Sequence, residues 1–83
     1  MNKVVVYTKD NCPYCDRAKD LLKRKNIAFE EIHLSSDRFE EIEALMKRTN
    51  HRTVPQIFIG EMFVGGFNEL NELDHKGELE KLL

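Results

Sequence analysis

Cys12 and Cys15 stand three residues apart around Pro13 and Tyr14. Pro13 suits the first position of a helix, where its missing N–H costs nothing. Cys12 then falls at the N-cap, beside unpaired backbone N–H groups and the positive end of the helix dipole. That field favours thiolate over thiol and can draw a cysteine pKa from about 8.5 into the range of roughly 3.5 to 7.5. Lys9, just upstream, adds positive charge nearby. Cys12 is therefore the expected nucleophile. Cys15, one turn deeper, can attack a mixed disulfide formed at Cys12 and release the reduced target, which makes it the expected resolving thiol.

Two buried free cysteines, or half of a zinc site, are the other readings of the pair. A zinc site takes about four ligands. The remaining candidates, His33, His51 and His75, do not pair at ligand spacing, and no second Cys-x-x-Cys exists. Nothing places a general-base histidine beside Cys12, so all three read as structural or surface residues. Two cysteines are also too few for the framework of a small secreted scaffold. Local context favours redox chemistry over metal binding, and no metal is expected.

The elements that must position the pair can be read from periodicity. Lys3 to Tyr7 is β-branched and nearly continuously apolar, which predicts a strand buried on both faces. A polar loop over Thr8 to Asn11 leads to the helix, where Cys15, Ala18, Leu21 and Leu22 recur at helical spacing and Asn26 is a stop. Ala28 to Leu34 is half polar and predicts a strand near a sheet edge. Asp37 is the expected cap of a second helix, with Glu40 three residues on as in a capping box. Phe39, Ile42, Leu45 and Met46 form its apolar stripe, and Glu43 with Lys47 a favourable i,i+4 pair. Gln56 to Ile59 and Met62 to Val64 are strands joined by Gly60-Glu61, a two-residue turn with glycine first. Gly65-Gly66 ends the hairpin, Phe67 to Asp74 reads as a helix, and a last helical turn carries Leu79, Leu82 and Leu83. The order is β-α-β-α-β-β-α. The first three strands are separated by helices, so the first strand and its crossover partners are expected to be parallel, and a small mixed sheet with helices on both faces follows.

At 83 residues, 41% apolar and 34% charged, the chain has an ordinary globular balance and room for one domain, over residues 1–83. A domain this small buries only about 60% of its extended-chain surface. The net charge of −2 is spread without a basic stripe, which argues against nucleic acid as partner. The longest apolar runs fall far short of the roughly 20 residues of a spanning helix. Met1-Asn2-Lys3 runs straight into the first strand without a signal peptide's apolar stretch, so the expected location is cytoplasmic.

Four segments now stand in order: Tyr7-Thr8-Lys9, Cys12-Pro13-Tyr14-Cys15, Thr53-Val54-Pro55-Gln56 and Gly65-Gly66-Phe67. Their order and spacing resemble the dithiol glutaredoxins over essentially the whole chain. The resemblance implies an α/β, thioredoxin-like fold with a four-stranded mixed sheet in the order 2-1-3-4, and a cis bond before Pro55. It implies a glutathione-dependent thiol–disulfide oxidoreductase with no tightly bound cofactor, glutathione being the electron donor. Lys9 and Arg52 would then meet the glycine-end carboxylate. Val54 would pair its backbone N–H and C=O with the cysteinyl unit, as one more strand residue would, with Thr53 and Pro55 beside it in the binding segment and Pro55 packed against the cysteines. Gly66 would permit close approach, and the N–H groups of Phe67 and Asn68 would face the γ-glutamyl carboxylate. Tyr14 would form a wall beside the thiol. Asn68 departs from the aspartate or serine frequent at this position in the family, and Glu69 can supply the missing charge.

Protein disulfides, glutathionylated proteins and ribonucleotide reductase are the acceptors the resemblance implies, served by a monomer. Two rivals share the fold. One is a redoxin coupled to thioredoxin reductase and donating electrons to ribonucleotide reductase, which usually lacks residues such as Lys9, Tyr14 and Gly66-Phe67-Asn68. The other is an iron–sulfur cluster carrier that uses the first cysteine and glutathione, a role usual for single-cysteine motifs.

Overall fold

The computed structural model describes residues 2–83. Its elements are β1 (Val4–Thr8), α1 (Pro13–Arg24), β2 (Glu30–His33), α2 (Phe39–Thr49), β3 (Gln56–Ile59), β4 (Met62–Gly65) and α3 (Phe67–His75), followed by a 3-10 turn over Glu80–Leu82. The strands form one mixed sheet in the order β2-β1-β3-β4. The half-polar β2 lies at an edge, as its composition predicts. Side-chain alternation along β1 divides the core in two. Val4 and Val6, with Ile57 and Ile59 of β3, pack against Ala18, Leu21 and Leu22 of α1 and Leu70 of α3. On the opposite face Val5, Tyr7 and Phe58 meet Leu45 and Ile42 of α2. The helices thus cover both sides of the sheet.

Two local expectations differ from what is observed. β2 runs parallel to β1, but β3 runs antiparallel to it, with Tyr7 opposite Gln56 and Val4 opposite Ile59. The chain leaves β2 beside Thr8 and enters β3 beside Tyr7, so the α2 excursion departs from and returns to the same end of the sheet. The crossover rule governs only connections that return into a parallel strand; here five residues before the helix and six after it let the chain turn back. The second difference is the cap of α2. Arg38, not Asp37, is the N-cap, and no side chain caps the helix. Asp37 instead accepts a hydrogen bond from the Ser35 hydroxyl, and Arg38 N–H bonds Ser35 O, a turn that delays the helix by one residue.

The punctuation before and after the site follows local backbone rules. Asn26, just past the Lys25 C-cap, adopts positive φ of 58° and ends α1. Ile59 pairs with Met62, leaving Gly60-Glu61 as the two-residue turn, with Gly60 at φ 61°. Phe58 faces Phe63 but Ile57 faces Gly65, so β4 carries one extra residue, a bulge that turns the chain toward α3.

Candidate active site

Cys12 is the N-cap of α1, with extended backbone and Pro13 following in the first turn. It comes directly after Asn11, whose φ of 54° turns the chain out of β1. The Cys12 and Cys15 sulfurs are joined as a disulfide, with their Cα atoms 5.2 Å apart. The backbone N–H of Cys15 points at Cys12 Sγ from 3.1 Å. That donor and the helix dipole act on the same sulfur, and both stabilise negative charge there once the disulfide is opened. The two sulfurs differ in access. Cys15 is 2% exposed, whereas Cys12 is only partly covered. An external thiol can therefore reach Cys12 and not Cys15.

A groove of about 380 Å³ opens beside Cys12. Seven of the residues singled out in the sequence line it: Tyr14, Thr53, Val54, Pro55, Gly66, Phe67 and Asn68. The Val54–Pro55 peptide bond is cis, and Val54 O lies 3.7 Å from Cys12 Sγ. Tyr14 and Phe67 approach across the groove with ring centroids 6.2 Å apart, and Arg17 stacks over Tyr14 at 5.1 Å. Phe67 is half-buried and also packs on the main core, so it belongs to both. Lys9 and Arg52 are exposed, do not line the groove and form no ion pair among the described residues. A larger cavity of about 610 Å³ lies at the other end of β1, near Val4, Ile27 and Phe29, away from the sulfurs.

Two groove residues escape the sequence reading or gain a different place. His51, read there as structural or surface, lines the groove with Nε2 3.2 Å from Thr53 Oγ1 and its ring against Phe63. A lone loop histidine has no periodicity to reveal it. Glu69, offered as the substitute charge near Asn68, turns back onto its own helix start, and its carboxylate accepts from Gly66 N–H at 2.7 Å.

Behind the Cys12 loop a polar cluster links β1 to the edge strand. The buried Thr8 hydroxyl donates to Glu31 at 2.7 Å, Lys19 of α1 approaches the same carboxylate at 3.1 Å, and His33 Nε2 meets Asp10 at 2.8 Å. The Thr8 hydroxyl holds the Glu31 carboxyl below the ordinary range; burial opposes this and Lys19 reinforces it. Among the described residues no group of three or more His, Cys, Asp or Glu side chains could hold a metal ion.

The glutaredoxin family model matches residues 4–64. The chain belongs to the glutaredoxin family. Glutaredoxin 1 of Rickettsia conorii is 48% identical over 84 residues, covering 100% of this chain and 82% of the relative. Glutaredoxin 3 of Escherichia coli K12 is 43% identical over 83 residues, covering 100% and 99%. A buckwheat glutaredoxin–glutathione complex superposes with a TM-score of 0.90 at 34% identity, over 99% of this chain and 76% of that one. The protein is accordingly a glutaredoxin thiol–disulfide oxidoreductase with a thioredoxin-like fold, and its Cys-Pro-Tyr-Cys segment is a dithiol motif able to close into a disulfide. Glutaredoxins work with glutathione, and among the described residues no helix is long and apolar enough to cross a membrane.

Proposed function

We propose that glutathione is the electron donor of this glutaredoxin and that Cys12 and Cys15 divide the work as nucleophile and resolving thiol. The reduced Cys12 thiolate attacks a target disulfide; one target sulfur joins Cys12 and the other leaves as a thiolate. The Cys15 thiolate then attacks Cys12 Sγ and expels the second target thiolate, forming the Cys12–Cys15 disulfide. One glutathione thiolate opens that disulfide at Cys12, the accessible sulfur, and expels Cys15. A second glutathione attacks the resulting mixed disulfide and leaves as glutathione disulfide, so two glutathiones are oxidised for each disulfide reduced. A glutathionylated protein enters the same cycle at its glutathionyl sulfur.

The observation that carries this reading is the groove itself, lined by Tyr14, Thr53, Val54, Pro55, Gly66, Phe67 and Asn68, with Val54 O 3.7 Å from the more accessible sulfur. A glutathione tripeptide brings a thiol and two carboxylates. Val54 can pair with its cysteinyl main chain, and the first N–H groups of α3 at Phe67 and Asn68 suit one carboxylate. Lys9 and Arg52, both exposed, are the cations proposed to meet the other. The buckwheat neighbour, a glutaredoxin–glutathione complex, supports the same ligand. We further propose that the domain spans residues 1–83, acts as a monomer in the cytoplasm and has ribonucleotide reductase among its acceptors.

Coupled turnover tests the donor. With glutathione, glutathione reductase and NADPH, the protein is expected to reduce a glutathione mixed disulfide at catalytic concentrations. Absence of turnover there, with turnover restored by thioredoxin reductase, would overturn the reading.

A further inference from the structure

Gln56, the first residue of β3, is fully buried, and nothing in the cycle above uses it. Every polar atom of its carboxamide is engaged. Oε1 accepts from the Thr49 hydroxyl at 2.8 Å, while Nε2 donates to His51 O at 2.6 Å and Thr53 O at 3.2 Å. Two carbonyls at one end and a hydroxyl at the other leave no doubt which end is the amino group. Thr49 is the last residue of α2. One side chain thus joins the end of α2, the start of β3 and two carbonyls of the loop between them.

That loop is the wall of the groove. It carries His51, Thr53 and Val54, and it sets Val54 O 3.7 Å from Cys12 Sγ. A surface loop normally satisfies its backbone with water and moves accordingly. Here two of its carbonyls are gripped from the protein interior, where a bonded amide also fixes position.

We propose that Gln56 is a positioning residue for the ligand's main chain: its carboxamide holds the His51–Val54 backbone in the register that receives an extended cysteinyl unit. This rests on the glutathione reading of the groove. The positive end of α1 and the Cys15 N–H, which act on the Cys12 sulfur, belong to a different element and stand apart from it. Loss of the carboxamide should therefore weaken ligand docking and leave thiolate reactivity intact.

Gln56→Met, Gln56→Glu and Thr49→Val test this, using a glutathione mixed disulfide in the glutathione-coupled assay. Turnover by the wild type tests the glutathione reading alone; the ratio of variant to wild type tests Gln56. Gln56→Met keeps the volume but removes the interior donor from the His51 and Thr53 carbonyls. Its KM is expected to rise about tenfold, equivalent to about 1.4 kcal/mol. Its Cys12 alkylation rate and the pH midpoint of that reaction should match the wild type. Gln56→Glu should show a smaller KM ratio to wild type at pH 5 than at pH 8, because a protonated carboxyl donates one hydrogen bond and a carboxylate none. Thr49→Val removes the hydroxyl that orients Oε1 and should raise KM two- to fivefold, which keeps the test open if Gln56→Met does not fold. An unchanged KM in folded Gln56→Met, an unchanged KM in Thr49→Val, or a KM rise matched by slower alkylation would overturn the proposal.

Discussion

The backbone N–H of Cys15 caps its own helix onto Cys12 Sγ, 3.1 Å away. Helices usually close this position with an oxygen of Ser, Thr, Asp or Asn. A sulfur there gains the same donor and the same dipole, and a thiolate gains more from them than a thiol does. The 2% exposure of Cys15 adds the second half of the asymmetry, since only Cys12 can meet an outside disulfide.

Alkylation of the reduced protein should follow that asymmetry. Iodoacetamide is expected to label Cys12 with a pH midpoint at least one unit below the roughly 8.5 of a free cysteine. Cys15 should react far more slowly. Peptide mapping of the labelled protein across pH checks both; equal labelling, or a midpoint at 8.5, would mean that the helix start does not activate the sulfur.

The adjacent glycines should respond differently to the same change. Gly65 has a φ of 121°, and an added Cβ would sit 2.7 Å from Glu69 Oε1. Gly65→Ala should cost about 1–3 kcal/mol of stability through backbone strain. Gly66 has φ of −99°, and a Cβ there would make ordinary contacts, the nearest at 3.4 Å to Pro55 O. Gly66→Ala should therefore fold normally but narrow the groove and raise KM for glutathione. Denaturant titration paired with steady-state kinetics separates the two effects.

Glu31 sets an acid-side dependence of stability. Its folded pKa lies below the ordinary value of 4.5, chiefly through the Thr8 hydroxyl. The stabilisation is fully present above the unfolded value and is lost as pH falls through the folded one. With a third of the side chain exposed, solvent screening limits it to about 1 kcal/mol. Glu31→Gln should lower stability at pH 7 by about that amount and flatten the decline between pH 5 and pH 3. Urea midpoints at several pH values measure this, and parallel curves for the two proteins would rule it out.

Much of the molecule is legible in the chain because its signals are local. Pro13 after Cys12 marks the helix start, Asn26 its end, and Gly60-Glu61 the hairpin, each through backbone preferences that need no partner. The direction of β3 is not local. It depends on where α2 returns the chain, and no residue between Leu34 and Pro55 encodes that by itself. Asp37 shows a related failure, since a good cap residue was claimed by the Ser35 hydroxyl instead. His51 and Gln56 were out of reach for a different reason. Their roles come from what they face, a groove for one and two loop carbonyls for the other.

The division of labour between the sulfurs is tested most directly by reduction of a glutathione mixed disulfide with wild type, Cys12→Ser and Cys15→Ser. Cys12→Ser is expected to be inactive, because a serine hydroxyl is not ionised at neutral pH and Cys15 is buried. Cys15→Ser is expected to keep substantial activity, because a second glutathione can resolve the intermediate at Cys12. Activity retained in Cys12→Ser would contradict the account.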